Sequence, residues 1–191
     1  TQAYPQLLIA YGRGTALNQV GIPYQPFIDI LAMLLADVET AVKSQLLPIS
    51  QARRLWDAYP QTLEIVKTFG PDLLNSWLPH HEEVPKKEAP QSQAILFRQM
   101  DSILSRLATY HPLLLIIDDL HWADESSMSL LFHLGQRLDH QHIFLIGAYR
   151  EDEIEASNSV HSQTIIEIQR RTGEKSLDLE AFGQEENRAF V

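Results

Sequence analysis

Cysteine is absent from the 191 residues of this chain, which excludes disulfide bonds and thiol chemistry. The fold must therefore be held by a buried core, and a hydrophobic content of 45% is enough for one domain of this length. A sequence without cysteine is also compatible with a reducing compartment, and we expect a cytoplasmic protein.

Basic residues are scarce, because 15 Lys and Arg face 25 Asp and Glu and leave a net charge of -10. Duplex DNA is bound chiefly by clustered Lys and Arg, so we expect no direct nucleic-acid contact from this segment. The longest aliphatic run, Leu113 to Ile117, is far shorter than the roughly 20 residues that cross a bilayer, so no membrane segment is predicted. The amino terminus has neither the basic n-region nor the apolar h-region of a signal peptide, so no signal peptide is predicted.

Several catalytic motifs are also missing. The eight histidines include no H-x-x-x-H or H-E-x-x-H spacing, and His80-His81 lies in a proline-rich stretch where adjacent ligands rarely converge on one zinc ion. No G-x-S-x-G sequence is present, which argues against a serine nucleophile of the hydrolase type. Zinc chemistry and serine hydrolysis are therefore disfavoured.

The most informative stretch that is present runs from Leu113 to Asp124, LLLIIDDLHWAD. Its aliphatic run predicts a buried parallel strand, which delivers the following residues to the carboxyl edge of a sheet, where α/β proteins bind ligands. Asp118, predicted as the first residue past this strand, would hold Mg²⁺ on a nucleotide phosphate, and Asp119 would accept a proton from the attacking water or orient it. The alternative is that the two acids begin a loop or cap a turn.

The first half of the chain predicts a strand and a series of helices. Gln6 to Tyr11 is predicted as a short strand closed by Gly12-Arg13-Gly14, and one apolar helical face is predicted from Phe27 to Val42. Between Ile49 and Leu78 we predict shorter helices, broken near Pro60 and at Gly70-Pro71. The segment from Pro79 to Gln91 has the composition of an exposed linker.

The second half predicts a parallel βαβ unit. A helix capped by Ser92, with an apolar stripe from Leu96 to Leu107, precedes the acid-bearing strand. Asp124 is predicted to cap a helix that ends near Leu138, and Ile143 to Ile146 is predicted as the next inner strand. Further elements are predicted at Val160 to Arg171 (helix), Leu177 to Leu179 (strand) and from Gln184 (helix). This order indicates an α/β fold with a three-layer parallel sheet.

Arg150 follows the second apolar strand, so we expect it at the same sheet edge as the acids. A guanidinium there can bind the terminal phosphate of a nucleotide, and the alternative is a surface arginine paired with one of the acids in Glu151 to Glu153. His121 and Trp122 follow the acids directly and can line the site, although a packing role is favoured for Trp122.

The expected partner of the acids is a phosphate-binding loop, G-x-x-x-x-G-K-[ST], and it does not occur. Gly12-Arg13-Gly14 has no lysine, and Gly173-Glu174-Lys175-Ser176 lacks both the leading glycine and the Gly-Lys step. The chain also begins at Thr1, close to a strand. We therefore expect a fragment that starts after the phosphate-binding loop and its strand.

These residues resemble the ATPase domain of STAND signal-transduction NTPases. Such AAA-like modules occur in LuxR-type activators related to the maltose activator and in large bacterial kinases and cyclases. The likeness extends over most of the chain through YGRG, IPYQPFIDIL, PLLLIIDDLHWADESSMSLL, IFLIGAYREDEI and LDLEAFGQEENRAFV. It implies that Asp118 is the Walker B magnesium acid, that Asp119 is the catalytic or water-polarising acid, and that Arg150 is a sensor near the γ-phosphate.

The resemblance also implies a P-loop NTPase fold that is incomplete here. Residues 1–191 would be a partial AAA-like domain without the P-loop upstream or the lid and winged helix downstream. Its ligands would be ATP and Mg²⁺, and its partners an effector domain in the same parent chain, with possible nucleotide-dependent self-assembly. The isolated fragment is then expected to be inactive.

Three functions remain open from the sequence. The first is a switch that binds ATP and hydrolyses it slowly, coupled to the effector domain of a bacterial signalling or transcription regulator. The second is an interaction scaffold of the same fold without hydrolysis. The third is a nucleotide-independent DNA regulator, which would require a basic helix-turn-helix outside this acidic segment.

Overall fold

The computed structural model describes residues 4, 6–15, 22–78, 92–137, 141–153, 160–172 and 177. The strands are β1 (Leu8–Arg13), β2 (Leu113–Asp118) and β3 (Ile143–Gly147). A 3₁₀ turn at Leu120–Trp122 follows β2. The helices are α1 (Gln25–Leu34), α2 (Glu39–Lys43), α3 (Ile49–Phe69), α4 (Pro71–Trp77), α5 (Gln93–Ala108), α6 (Glu125–Gly135) and α7 (Val160–Thr172). No helix in the described ranges is long and apolar enough to cross a membrane.

The three strands form one parallel sheet in the order β1, β2, β3, which confirms the predicted α/β class and parallel pairing. Arg13 is level with Asp118 across the first pair, and Ile117 is level with Gly147 across the second. One boundary differs from the prediction, because Asp118 is the last residue of β2 and not the first residue after it. The strand therefore fixes the backbone of this acid directly.

One face of the sheet is covered by helices and forms the core. Side chains that point to this face from β1 and β2 are between 0% and 1% exposed: Leu8, Ala10, Leu113, Leu115 and Ile117. Gly12 lies on the same face, and a Cβ added there would be 2.0 Å from the carbonyl oxygen of Pro26. The first turn of α1 can therefore approach β1 closely only because residue 12 has no side chain.

The opposite face is open within the described residues. Leu114 and Ile116 of β2 are half-buried, and Phe144 and Ile146 of β3 are 62% and 40% exposed. Three layers were predicted, but the described residues form two, with no second helical layer among them. β3 was predicted as an inner strand and lies at the edge of the described sheet.

The apolar stripe predicted as one helix from Phe27 to Val42 is divided between α1 and α2. The chain turns at Ala36, whose φ of 65° is left-handed, and the amides of Ala36 and Asp37 bond back to the carbonyls of Met33 and Ala32. This is the hydrogen-bond pattern of a Schellman helix end, which glycine usually occupies. Alanine at that position gives no sequence signal of a helix end, so the break was missed.

The helix break predicted near Pro60 was wrong. α3 continues through Pro60, which lacks an amide hydrogen to bond the carbonyl of Trp56. Both residues are exposed, so water can reach the carbonyl that loses its partner. The break predicted at Gly70-Pro71 is confirmed, since α3 ends at Phe69 and α4 begins at Pro71.

Asp124 caps α6 as predicted. Its Oδ1 accepts a hydrogen bond from the Ser127 amide at 2.9 Å, and its Oδ2 accepts one from the Tyr24 amide at 3.1 Å, at the start of α1. Ser92 occupies the corresponding position before α5, but its side chain makes no capping hydrogen bond. Asp124 therefore joins two helices, whereas Ser92 only precedes one.

We expect Asp124→Ala to lower the free energy of unfolding by about 1–2 kcal/mol, because the amides of Ser127 and Tyr24 both lose an acceptor. Chemical denaturation measures this change. Ser92→Ala is the matched control and should cost less than about 0.5 kcal/mol. Equal losses in the two variants would contradict the capping role of Asp124.

Other predicted elements fall outside the described residues. These are the linker from Pro79 to Gln91, the helix from Gln184, and the end of the α6 prediction at Leu138, where the described helix ends at Gly135. Of the strand predicted from Leu177 to Leu179, only Leu177 is described, and it is not in a strand.

Candidate functional site

The predicted site residues emerge at one edge of the sheet. Asp118 ends β2, Asp119 follows it, and Arg150 lies three residues after the end of β3. Because the two strands are parallel and neighbouring, their carboxyl ends lie side by side. The fold thus brings both acids and the arginine to the edge where α/β sheets bind ligands.

Asp118 is half-buried and each of its carboxylate oxygens has a hydrogen-bond donor. Oδ1 accepts from the Asp119 amide at 2.9 Å, and Oδ2 accepts from the hydroxyl of Tyr11 at 2.8 Å. Tyr11 belongs to β1 and points to the same sheet face as Asp118, because strand side chains alternate. These bonds fix the carboxylate and leave each oxygen with a further lone pair for another donor or a cation.

Tyr11 has a pKa raised from 10.0 to about 12, first by burial and then by its hydrogen bond to Asp118 and the negative charge of that carboxylate. A raised pKa means that the folded state holds this proton more tightly than the unfolded state does. The resulting stability is complete below pH 10.0 and is lost as the pH rises toward about 12.

We therefore expect the free energy of unfolding of the wild-type protein to fall between pH 10.0 and about 12, with part of that fall removed in Tyr11→Phe. Phenolate absorbance should show one tyrosine that titrates late in the wild type and is missing from the variant. Tyr4→Phe is the control, since Tyr4 is 66% exposed. A late tyrosine that persists in Tyr11→Phe would refute the assignment.

Asp119 has a left-handed backbone, with φ of 49° and ψ of 44°. Its Oδ2 accepts two contacts from the guanidinium of Arg13, at 2.7 Å from Nε and 2.5 Å from Nη2. Gly14 packs against the Asp119 backbone so closely that an added Cβ would be 2.2 Å from the Asp119 carbonyl oxygen. The end of β1 therefore holds both the side chain and the main chain of this acid.

Arg13 is itself held in place by its neighbours. The hydrogen bond and the negative charge of Asp119 raise the pKa of Arg13, so the guanidinium is charged at any working pH. A backbone hydrogen bond also joins Arg13 to Asp29 of α1, whose own pKa is raised by burial, with this bond and one from Gln25 acting in the opposite direction. A positive charge is thus part of the site around Asp119.

Among the described residues, the guanidinium of Arg150 pairs with Glu153 and with neither of the two acids. Its side chain is 70% exposed and Nη1 lies 3.2 Å from a carboxylate oxygen of Glu153. This is one of the pairings considered from the sequence as the alternative to phosphate binding. The backbone amide of Arg150 donates a 3.4 Å hydrogen bond to Nδ1 of His121, in the loop that follows β2.

His121 and Trp122 occupy different environments in the 3₁₀ turn. The side chain of His121 is only 2% exposed, whereas Trp122 is 42% exposed and its ring lies 5.2 Å from the His121 ring. The indole of Trp122 therefore packs against the imidazole of His121, at the surface and not in the core.

The carboxylates of Asp118 and Asp119 are suited to Mg²⁺ that is also held by water and phosphate oxygens, and less suited to a metal ion bound by protein side chains alone. Across the described part of the chain, no three His, Asp or Glu side chains surround a common point. Mg²⁺ needs only one or two carboxylates when water and phosphate oxygens complete its shell, and Asp118 offers a fixed, half-buried carboxylate of that kind. The chemistry of this edge is therefore compatible with a magnesium nucleotide.

Sequence reasoning missed Tyr11 and Arg13 as site residues. Both lie at the carboxyl end of a strand that pairs directly with β2, and they are two residues apart, so they share a face. The pattern Tyr-Gly-Arg-Gly, with polar side chains on alternate positions at the end of an apolar strand, was the available signal. It was interpreted only as a turn.

Comparison with known proteins gave one result. Residues 2–146 match the family model described as an AAA ATPase domain. The match includes both acids, Tyr11 and Arg13, and it stops short of Arg150. No curated protein matches the chain. No solved structure matches it either.

Proposed function

The chain belongs to the AAA ATPase domain family, and on this premise we propose that it is part of an ATP-binding switch that hydrolyses ATP slowly. We propose further that the module is of the STAND type and works in a cytoplasmic bacterial signalling or transcription regulator. The effector domain would lie in the same parent chain, and nucleotide-dependent self-assembly would be a possible output.

One observation carries this proposal. Neighbouring parallel strands bring Asp118, Asp119 and Arg150 to one sheet edge, which is the arrangement that a magnesium triphosphate needs. Carboxylates at the end of one strand would face the metal and the water, and the guanidinium beyond the next strand would face the terminal phosphate. This placement follows from the backbone and is independent of the present side-chain conformations.

The phosphate-binding loop is the part of such a site that this sequence does not contain. We propose that it comes from a segment outside these 191 residues and that its strand pairs with the free edge of β3. Support comes from β3 itself, where the described residues provide no second neighbour and Phe144 is 62% exposed. An exposed apolar edge strand is a liability that proteins normally cover. A parallel strand added there would end beside Gly147 and place its loop at the same sheet edge as both acids, with the end of β3 between them.

In the proposed mechanism Asp118 would hold Mg²⁺ through its water shell, and the ion would neutralise charge on the phosphates. Asp119 would orient the attacking water and accept its proton. The guanidinium of Arg13 lies against the Oδ2 atom of Asp119, so this contact would have to loosen before that oxygen could face the water. Arg150 would leave Glu153 for the terminal phosphate, which is a stronger bidentate partner.

A non-hydrolysing scaffold of the same fold is the second candidate. One specific observation favours it, namely that both carboxylates already have protein partners, Tyr11 for Asp118 and Arg13 for Asp119. Such a module would still bind nucleotide or assemble without turning it over. The two candidates differ in steady-state hydrolysis by a protein that includes the phosphate-binding loop.

Magnesium dependence tests the proposed site directly. In a protein with its phosphate-binding loop, we expect Asp118→Asn to weaken ATP binding about 10-fold or more with Mg²⁺ present, because a charged oxygen facing the ion is lost. Calorimetry measures the ATP affinity of both proteins. When Mg²⁺ is removed by chelation, the affinity of Asp118→Asn should differ little from that of the wild type.

Asp57→Asn provides the matched control for the magnesium experiment. It makes the same chemical change on the exposed surface of α3 and should leave ATP binding unaltered. An affinity for ATP in Asp118→Asn that equals the wild-type value with and without Mg²⁺ would remove Asp118 from the metal site.

A further inference from the structure

The loop after β2 departs from a regular strand, and this departure leaves one amide of the β3 loop in need of an acceptor. The amide of Ala148 bonds the carbonyl of Ile117, and the carbonyl of Ala148 accepts from Leu120 rather than from Asp119. The Asp119 amide is bonded instead to the side chain of Asp118. The parallel ladder therefore shifts by one residue at the left-handed Asp119.

The next acceptor that a regular ladder would offer is the carbonyl of Asp119, and it is already in use. It accepts the amide of Trp122 at 2.8 Å and so closes the 3₁₀ turn. The amide of Arg150, next in line on the β3 side, bonds Nδ1 of His121 at 3.4 Å. A side chain thus takes the place of a backbone acceptor at the position from which Arg150 departs.

His121 also faces the carboxylates on both sides of it. Nε2 lies 3.3 Å from a Glu153 carboxylate oxygen and 3.9 Å from Oδ1 of Asp119, and it makes no hydrogen bond of good geometry with either. Glu153 in turn holds the guanidinium of Arg150. The nearly buried imidazole of His121 therefore lies in the acid loop, which begins at Asp119 after β2. It contacts the main chain of Arg150 directly, and it lies beside Glu153, which pairs with the Arg150 guanidinium.

We propose that His121 is a positioning residue, whose Nδ1 holds the main chain of Arg150 beside Asp119 and so couples the acid loop to the loop after β3. This hydrogen bond is a feature of the fold and does not depend on what the protein does. Its importance for hydrolysis rests on the proposed function, in which Arg150 binds the terminal phosphate while its backbone is held in place. His121 contacts no substrate in this role.

Two substitutions distinguish the roles of the two nitrogen atoms of the His121 ring. His121→Asn keeps an acceptor near the place of Nδ1 and loses Nε2, whereas His121→Gln keeps a polar group near the place of Nε2 and loses Nδ1. Amide hydrogen exchange, followed by NMR, should be roughly 2- to 10-fold faster at Arg150 in His121→Gln, as expected for one lost hydrogen bond. In His121→Asn the rate should remain within about 2-fold of the wild type.

Two controls distinguish this local change from general destabilisation. The amide of Leu115 in β2 reports opening of the core in the same spectra, and it should be unaffected. His111→Gln alters a half-buried histidine just before β2, at the opposite edge of the sheet, and should not change exchange at Arg150. Equal exchange at Arg150 in wild type and His121→Gln overturns the proposal, and so does an equal effect of His111→Gln.

A measurement on the wild type applies even if His121→Gln fails to fold. An Nδ1 that accepts from Arg150 requires the neutral ring to carry its hydrogen on Nε2. Imidazole ¹⁵N chemical shifts identify this tautomer, and a neutral ring with its hydrogen on Nδ1 overturns the proposal.

Hydrolysis provides a further measurement, because a purely structural role of His121 would not separate the effect on kcat from the effect on ATP affinity. In a protein that turns over ATP, His121→Gln should lower kcat by up to about 10²-fold at unchanged ATP affinity, and His121→Asn should restore most of it. Loss of kcat in both variants alike would contradict the role of Nδ1. If a wild-type protein that includes the phosphate-binding loop hydrolyses no ATP, the proposed function fails, while the exchange and tautomer results still decide the inference about His121.

Discussion

Replacing Asp119 by asparagine is expected to reduce ATP turnover by about 10²- to 10⁴-fold in a protein that contains the phosphate-binding loop, with ATP binding retained. Asparagine has nearly the same shape, tolerates the left-handed backbone at this position, and can still accept a hydrogen bond from Arg13. It cannot take a proton from water. Single-turnover hydrolysis and equilibrium nucleotide binding, measured on the same sample, separate the two effects.

The controls for this experiment distinguish the effect of losing one negative charge from the effect of losing it at this site. Asp57→Asn removes one negative charge from the exposed surface of α3 and should leave turnover unchanged. Asp118→Asn changes the neighbouring acid and should weaken binding in Mg²⁺, which Asp119→Asn should not. Steady-state hydrolysis that is unchanged in Asp119→Asn would count against its catalytic role, and absence of hydrolysis in the wild type would favour the scaffold.

Truncation of Leu115 is the change expected to cost the most stability. This side chain is 0% exposed at the centre of β2, level with Ala10 on one side and Leu145 on the other. We expect Leu115→Ala to lower the free energy of unfolding by about 2–5 kcal/mol, because it removes buried surface and leaves a cavity that neighbouring strands cannot close. Urea denaturation at equilibrium measures this loss.

Leu114→Ala is the matched control on the other face of the same strand. Leu114 is only half-buried, so its truncation should cost about 1 kcal/mol or less. The two leucines are adjacent in sequence and share backbone surroundings, which isolates the effect of the covering helices. A cost for Leu114→Ala as large as that for Leu115→Ala would show that the open face is covered in solution.

The parts of the fold that the sequence predicts are those governed by local chemistry. Uninterrupted apolar runs identified β2 and β3, and Asp124 before an apolar helix identified the α6 cap, because each signal lies within a few residues. Pro60 shows the limit of the same reasoning. A proline ends a helix only if the missing hydrogen bond cannot be met elsewhere, and exposure is a tertiary property.

The candidate site was predicted in part for a similar reason. Asp118 and Asp119 come directly after an uninterrupted aliphatic run, so their approximate place at the sheet edge could be deduced from the chain itself. The contacts of Tyr11 and Arg13 with these acids span 107 and 106 residues of sequence and depend on which strand lies beside β2. The pairing of Arg150 with Glu153, in contrast, spans three residues and was among the alternatives considered from the sequence.

The backbone conformation of Asp119 restricts which amino acids can replace it. Left-handed φ and ψ are tolerated by glycine, asparagine and aspartate far better than by longer or branched side chains. Glutamate would keep the negative charge, yet it would adopt this left-handed backbone only with strain and would carry its carboxylate one methylene group further from the main chain. Among acidic residues, the geometry of this turn therefore selects the shorter one.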